Sequence, residues 1–169
     1  MPHIAVFGAP GHLGGRVVNE LVSHGDRVTA VVRDLERARP LLKQGVTLLK
    51  GDLKDIGSLH AAFAAMRRPI DGLITTAYGY SRARPGDTLE SVDDQGNQNL
   101  IKAARQAQVK RFVFTSILTA DRAVDVPHFY QKAKTEAVLE QSGMEWVALR
   151  PGGFLDTLEV SYGGYMVTA

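Results

Sequence analysis

The stretch Ile4-Ala5-Val6-Phe7-Gly8-Ala9-Pro10-Gly11-His12-Leu13-Gly14-Gly15 decides how the rest of the chain is read. Ile4 to Phe7 is an apolar run that stops at a glycine, as a short strand buried on both faces would. Behind the glycines, Val17, Val18, Leu21 and Val22 recur at helical spacing, and Gly25 ends the run. Between them Gly8, Gly11 and Gly14 stand at GxxGxxG spacing. One such glycine lets the chain turn off its strand, another lets backbone approach a pyrophosphate, and a third lets the helix pack on the sheet. The helix then presents unpaired N–H groups and the positive end of its dipole to phosphate. Turns collect glycine for many reasons; a strand before and a helix after point to dinucleotide binding. Gly8, Ala9, Pro10, Gly11, His12, Leu13 and Gly14 are therefore expected to line the ligand.

Outward from this turn, strand and helix patterns alternate. Arg27–Val32 reads as a strand, Leu35–Leu42 as a short helix interrupted by Pro40, and Val46–Leu49 as a third strand closed by Gly51-Asp52-Leu53. An amphipathic helix follows on Ile56, Leu59, Ala62, Phe63 and Met66. Ile70–Ala77 reads as a fourth strand, Tyr78–Thr88 as a polar loop, and Val92–Ala107 as a long helix. Arg111–Thr115, Phe129–Gln141 and Glu145–Leu149 read as strand, helix and strand. This alternation, with crossovers long enough for parallel pairing, predicts an α/β fold with a doubly wound parallel sheet.

The end of the second strand bears on which dinucleotide fits. An NAD site commonly places an acidic residue there to hold the ribose hydroxyls. This chain has Val31-Val32-Arg33-Asp34, and the Arg33 guanidinium suits a 2′-phosphate through charge-assisted hydrogen bonds. The expected cofactor is NADP, with NAD as the alternative served by Asp34. Asp52-Leu53 is placed to meet the adenine, or to cap the next helix.

Tyr130 and Lys134 form a YxxxK pair on one helix face. A nearby cation favours phenolate over phenol, so such a tyrosine is equipped to exchange a proton with a carbonyl oxygen. Ser116 closes the fifth strand, at the carboxyl edge where open α/β sheets bind ligands, and can polarise the same carbonyl. Ser116, Tyr130 and Lys134 are the candidate catalytic residues. Lys132 is a rival lysine, although two residues from Tyr130 it points elsewhere on the helix. Tyr78, Tyr80, Arg82 and Arg84 could line the substrate side, or simply face solvent.

Composition narrows the function classes. The 169 residues suffice for one domain with a real core, and the hydrophobic content of 44% is ordinary. With no cysteine there is no disulfide, thiolate nucleophile or cysteine-ligated metal, and the five histidines lack ligand spacing, so no metal is expected. The net charge of +2, with no basic run among aromatics, argues against nucleic acid. No apolar run reaches the length of a membrane span, and no signal peptide is read at the start, so a cytoplasmic protein without a membrane partner is expected.

Taken together, GAPGHLGG, VVRD, GDL with Asp55, VDDQGNQNLIKAA leading into VKRFVFTSI, and EQSGMEWVALRPGGFLD resemble the atypical short-chain dehydrogenase/reductases, specifically the NmrA-like NAD(P)-binding proteins. The resemblance runs from residue 3 to about residue 156. It implies a Rossmann fold over residues 1–156 followed by a short tail, 157–169, with the C-terminal substrate lobe short or absent. It places Gly8, Gly11 and Gly14 at the pyrophosphate, Arg33 near the 2′-phosphate and Asp52-Leu53 near the adenine. Ala77 falls along the nicotinamide half, and Ser116, Tyr130 and Lys134 near the reacting end. The family varies at the tyrosine, and some members are cofactor-sensing regulators.

The leading expectation is an NADP(H)-dependent oxidoreductase acting on a small carbonyl or quinone-like substrate. A non-catalytic NAD(P)-sensing module is the second reading. A nucleotide-sugar epimerase or dehydratase is third, because that substrate needs a large second wall. A short substrate lobe would leave an open cleft or a sheet edge for a second subunit to cover, so a homodimer is expected.

Overall fold

The computed structural model describes residues 1–79 and 85–154. Among them the strands are β1 (His3–Phe7), β2 (Arg27–Val32), β3 (Thr47–Lys50), β4 (Gly72–Thr75), β5 (Arg111–Thr115) and β6 (Glu145–Leu149). The helices are α1 (His12–Ser23), α2 (Leu35–Ala38), α3 (Ile56–Ala65), α4 (Gln95–Gln106) and α5 (Pro127–Glu140). The strands form one parallel sheet in the order β3-β2-β1-β4-β5-β6, the doubly wound Rossmann arrangement.

Strand order reverses beside β1, whose Phe7 is paired with Val31 on one side and Thr75 on the other. Connections diverge there to opposite faces, which opens a crevice beyond the carboxyl ends of β1 and β4. Successive residues of a strand face opposite sides, so the sheet divides two cores. Val6, Val28, Ala30 and Val32 pack with Val18 of α1 and Ala38 of α2. Ala5, Phe7, Leu73, Phe112 and Phe114 pack with α3, α4 and Leu139 of α5. Burial on both sides explains why the Ile4–Phe7 part of β1 reads as an unbroken apolar run. At β6 the outward residues Val147 and Leu149 remain 45% and 55% exposed.

Three elements depart furthest from their sequence expectation, each for a local reason. The Leu35–Leu42 helix ends at Ala38 and continues as a 3₁₀ segment, Arg39–Gln44, because Pro40 has no N–H to donate. β4 stops at Thr75 because Thr76 turns across to β1, giving both its N–H and its hydroxyl to the Phe7 carbonyl at 3.0 and 3.2 Å. The helix expected from Val92 begins earlier, as a wide π-type turn over Leu89–Asp94, and becomes regular only at Gln95. Thr88 and Ser91 cap that turn reciprocally, each side chain accepting the other's backbone N–H at 2.9 and 2.8 Å. The turn carries Asp93 and Asp94, both buried, against α5.

Candidate dinucleotide and catalytic site

The glycine turn is a cradle that larger residues would fill. Gly8 has φ +84°, and a Cβ there would lie 2.6 Å from the Thr76 hydroxyl and 2.8 Å from the Ala77 nitrogen. At Gly14 a Cβ would lie 2.1 Å from the Gly8 carbonyl oxygen, so the first turn of α1 can rest against the end of β1 only with hydrogen at that position. Gly11 is the N-cap of α1; it has no side chain to offer, and the first turn holds no acidic residue. The uncapped N-terminus of α1 turns the positive end of its dipole to the crevice, which fits a pyrophosphate. The structure brings Ala77 to this turn, at the reversal of strand order.

At the carboxyl end of β2, Arg33 gives its Nη1 to Asp87 Oδ2 at 2.7 Å. Lys54, in the turn after β3, reaches Asp87 Oδ1 at 2.6 Å. Asp34 is engaged elsewhere, its carboxylate accepting the Arg37 N–H and capping α2. Asp52 accepts the Lys54 backbone N–H at 3.0 Å, whereas Leu53 is buried in the core and its carbonyl accepts from Asn99 Nδ2 at 3.0 Å. The cap of α3 is Asp55, whose side chain accepts the Ser58 N–H.

The three candidate catalytic residues fall in two clusters. Ser116 is buried and donates its hydroxyl to Glu136 Oε1. The same carboxylate accepts both Nε and Nη2 of Arg150, which also reaches Asp121 at 3.1 Å. Hydrogen bonding to Glu136 raises the Arg150 pKa further above its ordinary value. Tyr130 is 46% exposed, with the Lys134 ammonium 5.5 Å from its ring centroid. Lys134 is held by Asp94, whose hydrogen bond raises the lysine pKa above its ordinary value. The helix thus joins Tyr130 to Lys134, while the Ser116 hydroxyl is turned to Glu136.

Lys132 points into the protein. Its ammonium lies 3.0 Å from Asp93 Oδ1, 4.9 Å from the Phe114 ring centroid and 5.7 Å from that of Tyr78. The contact with Asp93 is ionic in character, because Oδ1 accepts no hydrogen bond in good geometry; Oδ2 takes the Gly79 N–H at 2.9 Å. Lys132 therefore stands where the ends of β4 and β5 meet α5. The buried residues of α5 are Lys132, Thr135, Glu136 and Leu139, a helical stripe in which only the last is apolar. That stripe was the available signal for Lys132 and Glu136, and its polarity hid it from a hydrophobic pattern. Asp87 had no local signal, since it sits 54 residues from Arg33.

Tyr80, Arg82, Arg84 and the 157–169 tail lie outside the described residues. A concavity lined by His60, Phe63, Arg67, Ile70 and Ala107 lies at the amino-terminal edge of the sheet, away from the glycine turn. No helix among the described residues is long and apolar enough to cross a membrane.

Comparison with known proteins agrees with the cradle. A family profile described as NAD(P)H-binding matches residues 8–168. The chain is 34% identical over 161 residues to the photosystem II assembly factor Ycf39 of Cyanophora paradoxa, covering 94% of this chain and 48% of that protein. Citrobacter sp. triphenylmethane reductase complexed with NADP(H) superposes with a TM-score of 0.73 at 29% identity, covering 92% of this chain and 51% of that one. The NADPH-dependent quinone oxidoreductase of Escherichia coli complexed with NADPH gives a TM-score of 0.76 at 27% identity, covering 94% and 52%. The chain thus spans about half the length of these relatives. Sheet order, glycine cradle and matched span agree: this chain belongs to the NAD(P)H-binding family, with structural neighbours in its NmrA-like, atypical short-chain dehydrogenase/reductase group.

Proposed function

We propose that the chain binds NADP(H) and serves an oxidoreductase that reduces a small carbonyl or quinone-like acceptor by hydride transfer. The observation that carries this reading is Arg33 at the end of β2, beside an Asp34 already occupied as a helix cap. An aspartate in that position would serve NAD ribose hydroxyls, whereas the cation serves a 2′-phosphate. Two structural neighbours named for NADP(H) or NADPH complexes, one of them a quinone oxidoreductase, support the same direction.

In this reading the α1 N-terminus and the Gly8–Gly14 cradle hold the pyrophosphate, Ala77 borders the nicotinamide half, and Asp52-Leu53 lie on the adenine side. The bound dinucleotide supplies the hydride. Tyr130 supplies the proton to the acceptor oxygen, and the Lys134 cation near its ring favours the phenolate left behind. Ser116 polarises the acceptor oxygen after exchanging its hydrogen bond to Glu136.

The test is NADPH oxidation with a panel of carbonyls and quinones. Tyr130→Phe is expected to lower turnover at least about 100-fold while NADPH still binds. Unchanged turnover removes Tyr130 from the mechanism. A second reading, an NAD(P)-sensing module, is favoured by the engagement of Ser116 with Glu136 rather than with Tyr130 or Lys134. Tight NADPH binding with no turnover on any acceptor would select it.

A further inference from the structure

Arg33 is not the sole cation at the adenosine end. Lys54 approaches from the turn after the neighbouring strand, and the two meet on opposite oxygens of one carboxylate, Asp87. The Asp87 side chain is 2% exposed, whereas those of Arg33 and Lys54 are 34% and 31% exposed. Lys54 also lies 3.4 Å from the Gly86 carbonyl oxygen. Two half-open cations converging on a shut-in carboxylate form a seat shaped for an oxyanion, because a phosphate offers the same kind of oxygens with more charge.

Resting on the NADP(H) reading above, we infer that Arg33 and Lys54 together form the seat for the 2′-phosphate and set the preference for NADPH over NADH, and that Asp87 is the built-in counter-ion that limits it. Arg33 meets Asp87 through Nη1, and a guanidinium has further N–H donors for a second anion. Lys54 contributes a point charge from the opposite side. Asp87 draws both cations together, and its own charge repels an incoming phosphate dianion in a partly dry site. NADH has a hydroxyl in place of that phosphate and brings no charge for the carboxylate to repel. Asp87 therefore tempers the NADPH advantage, while Lys54 contributes to it.

Fluorescence titration of the full chain with NADPH and NADH tests the seat, with adenosine 2′,5′-bisphosphate and AMP as competitors to localise any effect to the 2′-phosphate. Lys54→Gln is expected to weaken NADPH and the bisphosphate about tenfold and to leave NADH and AMP within about twofold. Asp87→Asn, similar in shape, is expected to tighten NADPH by about three- to tenfold with NADH unchanged. If Asp87→Asn fails to fold, Lys54→Gln on a half-exposed side chain decides alone. An NADPH preference in the wild type that Arg33→Ala abolishes, with neither Lys54→Gln nor Asp87→Asn altering the ratio, overturns the seat and leaves the NADP(H) reading intact. Equal wild-type affinities that Arg33→Ala does not change overturn both.

Discussion

Asp93 and Lys132 face each other at 3.0 Å with side chains only 1% and 8% exposed, so the π-type turn before α4 is tied to α5 by a charge pair shut off from water. Removing one member strands the other, and an uncompensated buried charge costs far more than an exposed one. Asp93→Ala is expected to lower stability by about 3–5 kcal/mol in urea denaturation. Lys132→Met with Asp93→Asn, which removes both charges, is expected to recover much of that loss. A single variant as stable as the wild type would show that the pair does not exist in solution.

Two neighbouring glycines in α1 should respond oppositely to the same change. Gly14→Ala drives a methyl into the Gly8 carbonyl, with 2.1 Å between them, and the helix can relieve it only by leaving the sheet. A loss of about 3 kcal/mol or more is expected, together with loss of NADPH binding. At Gly15 the nearest atom to a new Cβ is the Ala9 oxygen at 3.7 Å, an ordinary contact. Gly15→Ala should raise stability by about 0.5–1 kcal/mol, because alanine loses less backbone entropy in a helix. Thermal and urea unfolding of the two variants check both signs.

Lys134 gives stability a distinct alkaline limb. The Asp94 hydrogen bond lifts its pKa in the folded state above the unfolded value of 10.5. A group whose folded pKa is raised stabilises fully below the unfolded pKa and loses that contribution as pH climbs through the folded one. Melting temperature should therefore fall more steeply above about pH 10.5 in the wild type than in Lys134→Met. Parallel curves for the two proteins would mean that the Asp94 contact does not hold Lys134 in solution.

Asp34 separates a structural role from a cofactor role. Its side chain caps α2 through the Arg37 N–H at 3.1 Å. Asp34→Ala should cost about 0.5–1 kcal/mol and leave NADH affinity unchanged. A marked loss of NADH binding would return this aspartate to the ribose and reopen the choice of cofactor.

The glycine cradle was legible because its signals are local. The glycine spacing, the apolar strand before it and the helix after it lie within one βαβ unit, where backbone sterics determine which residues are tolerated. The cap of α3 was legible only in part: the sequence offered Asp52 for it, and the fold makes Asp55, three residues on, the cap. The wide turn at Leu89–Asp94 was not legible, since one extra residue in a helical turn depends on what packs against it.

By itself, the sequence determined the α/β alternation and the glycine turn at the head of α1, because side-chain period and glycine conformation act over a few residues. It also determined that Tyr130 and Lys134 share a helix face, since a four-residue step is a property of any α-helix. Which way that face looks was decided by tertiary structure. The sheet and the acidic turn drew Lys132, Thr135 and Glu136 inward with Leu139, and a polar stripe has no hydrophobic period to announce it. The meeting of Arg33, Lys54 and Asp87 was likewise decided by the fold. Charges on three separate connections can meet only when strand order brings those connections to one edge.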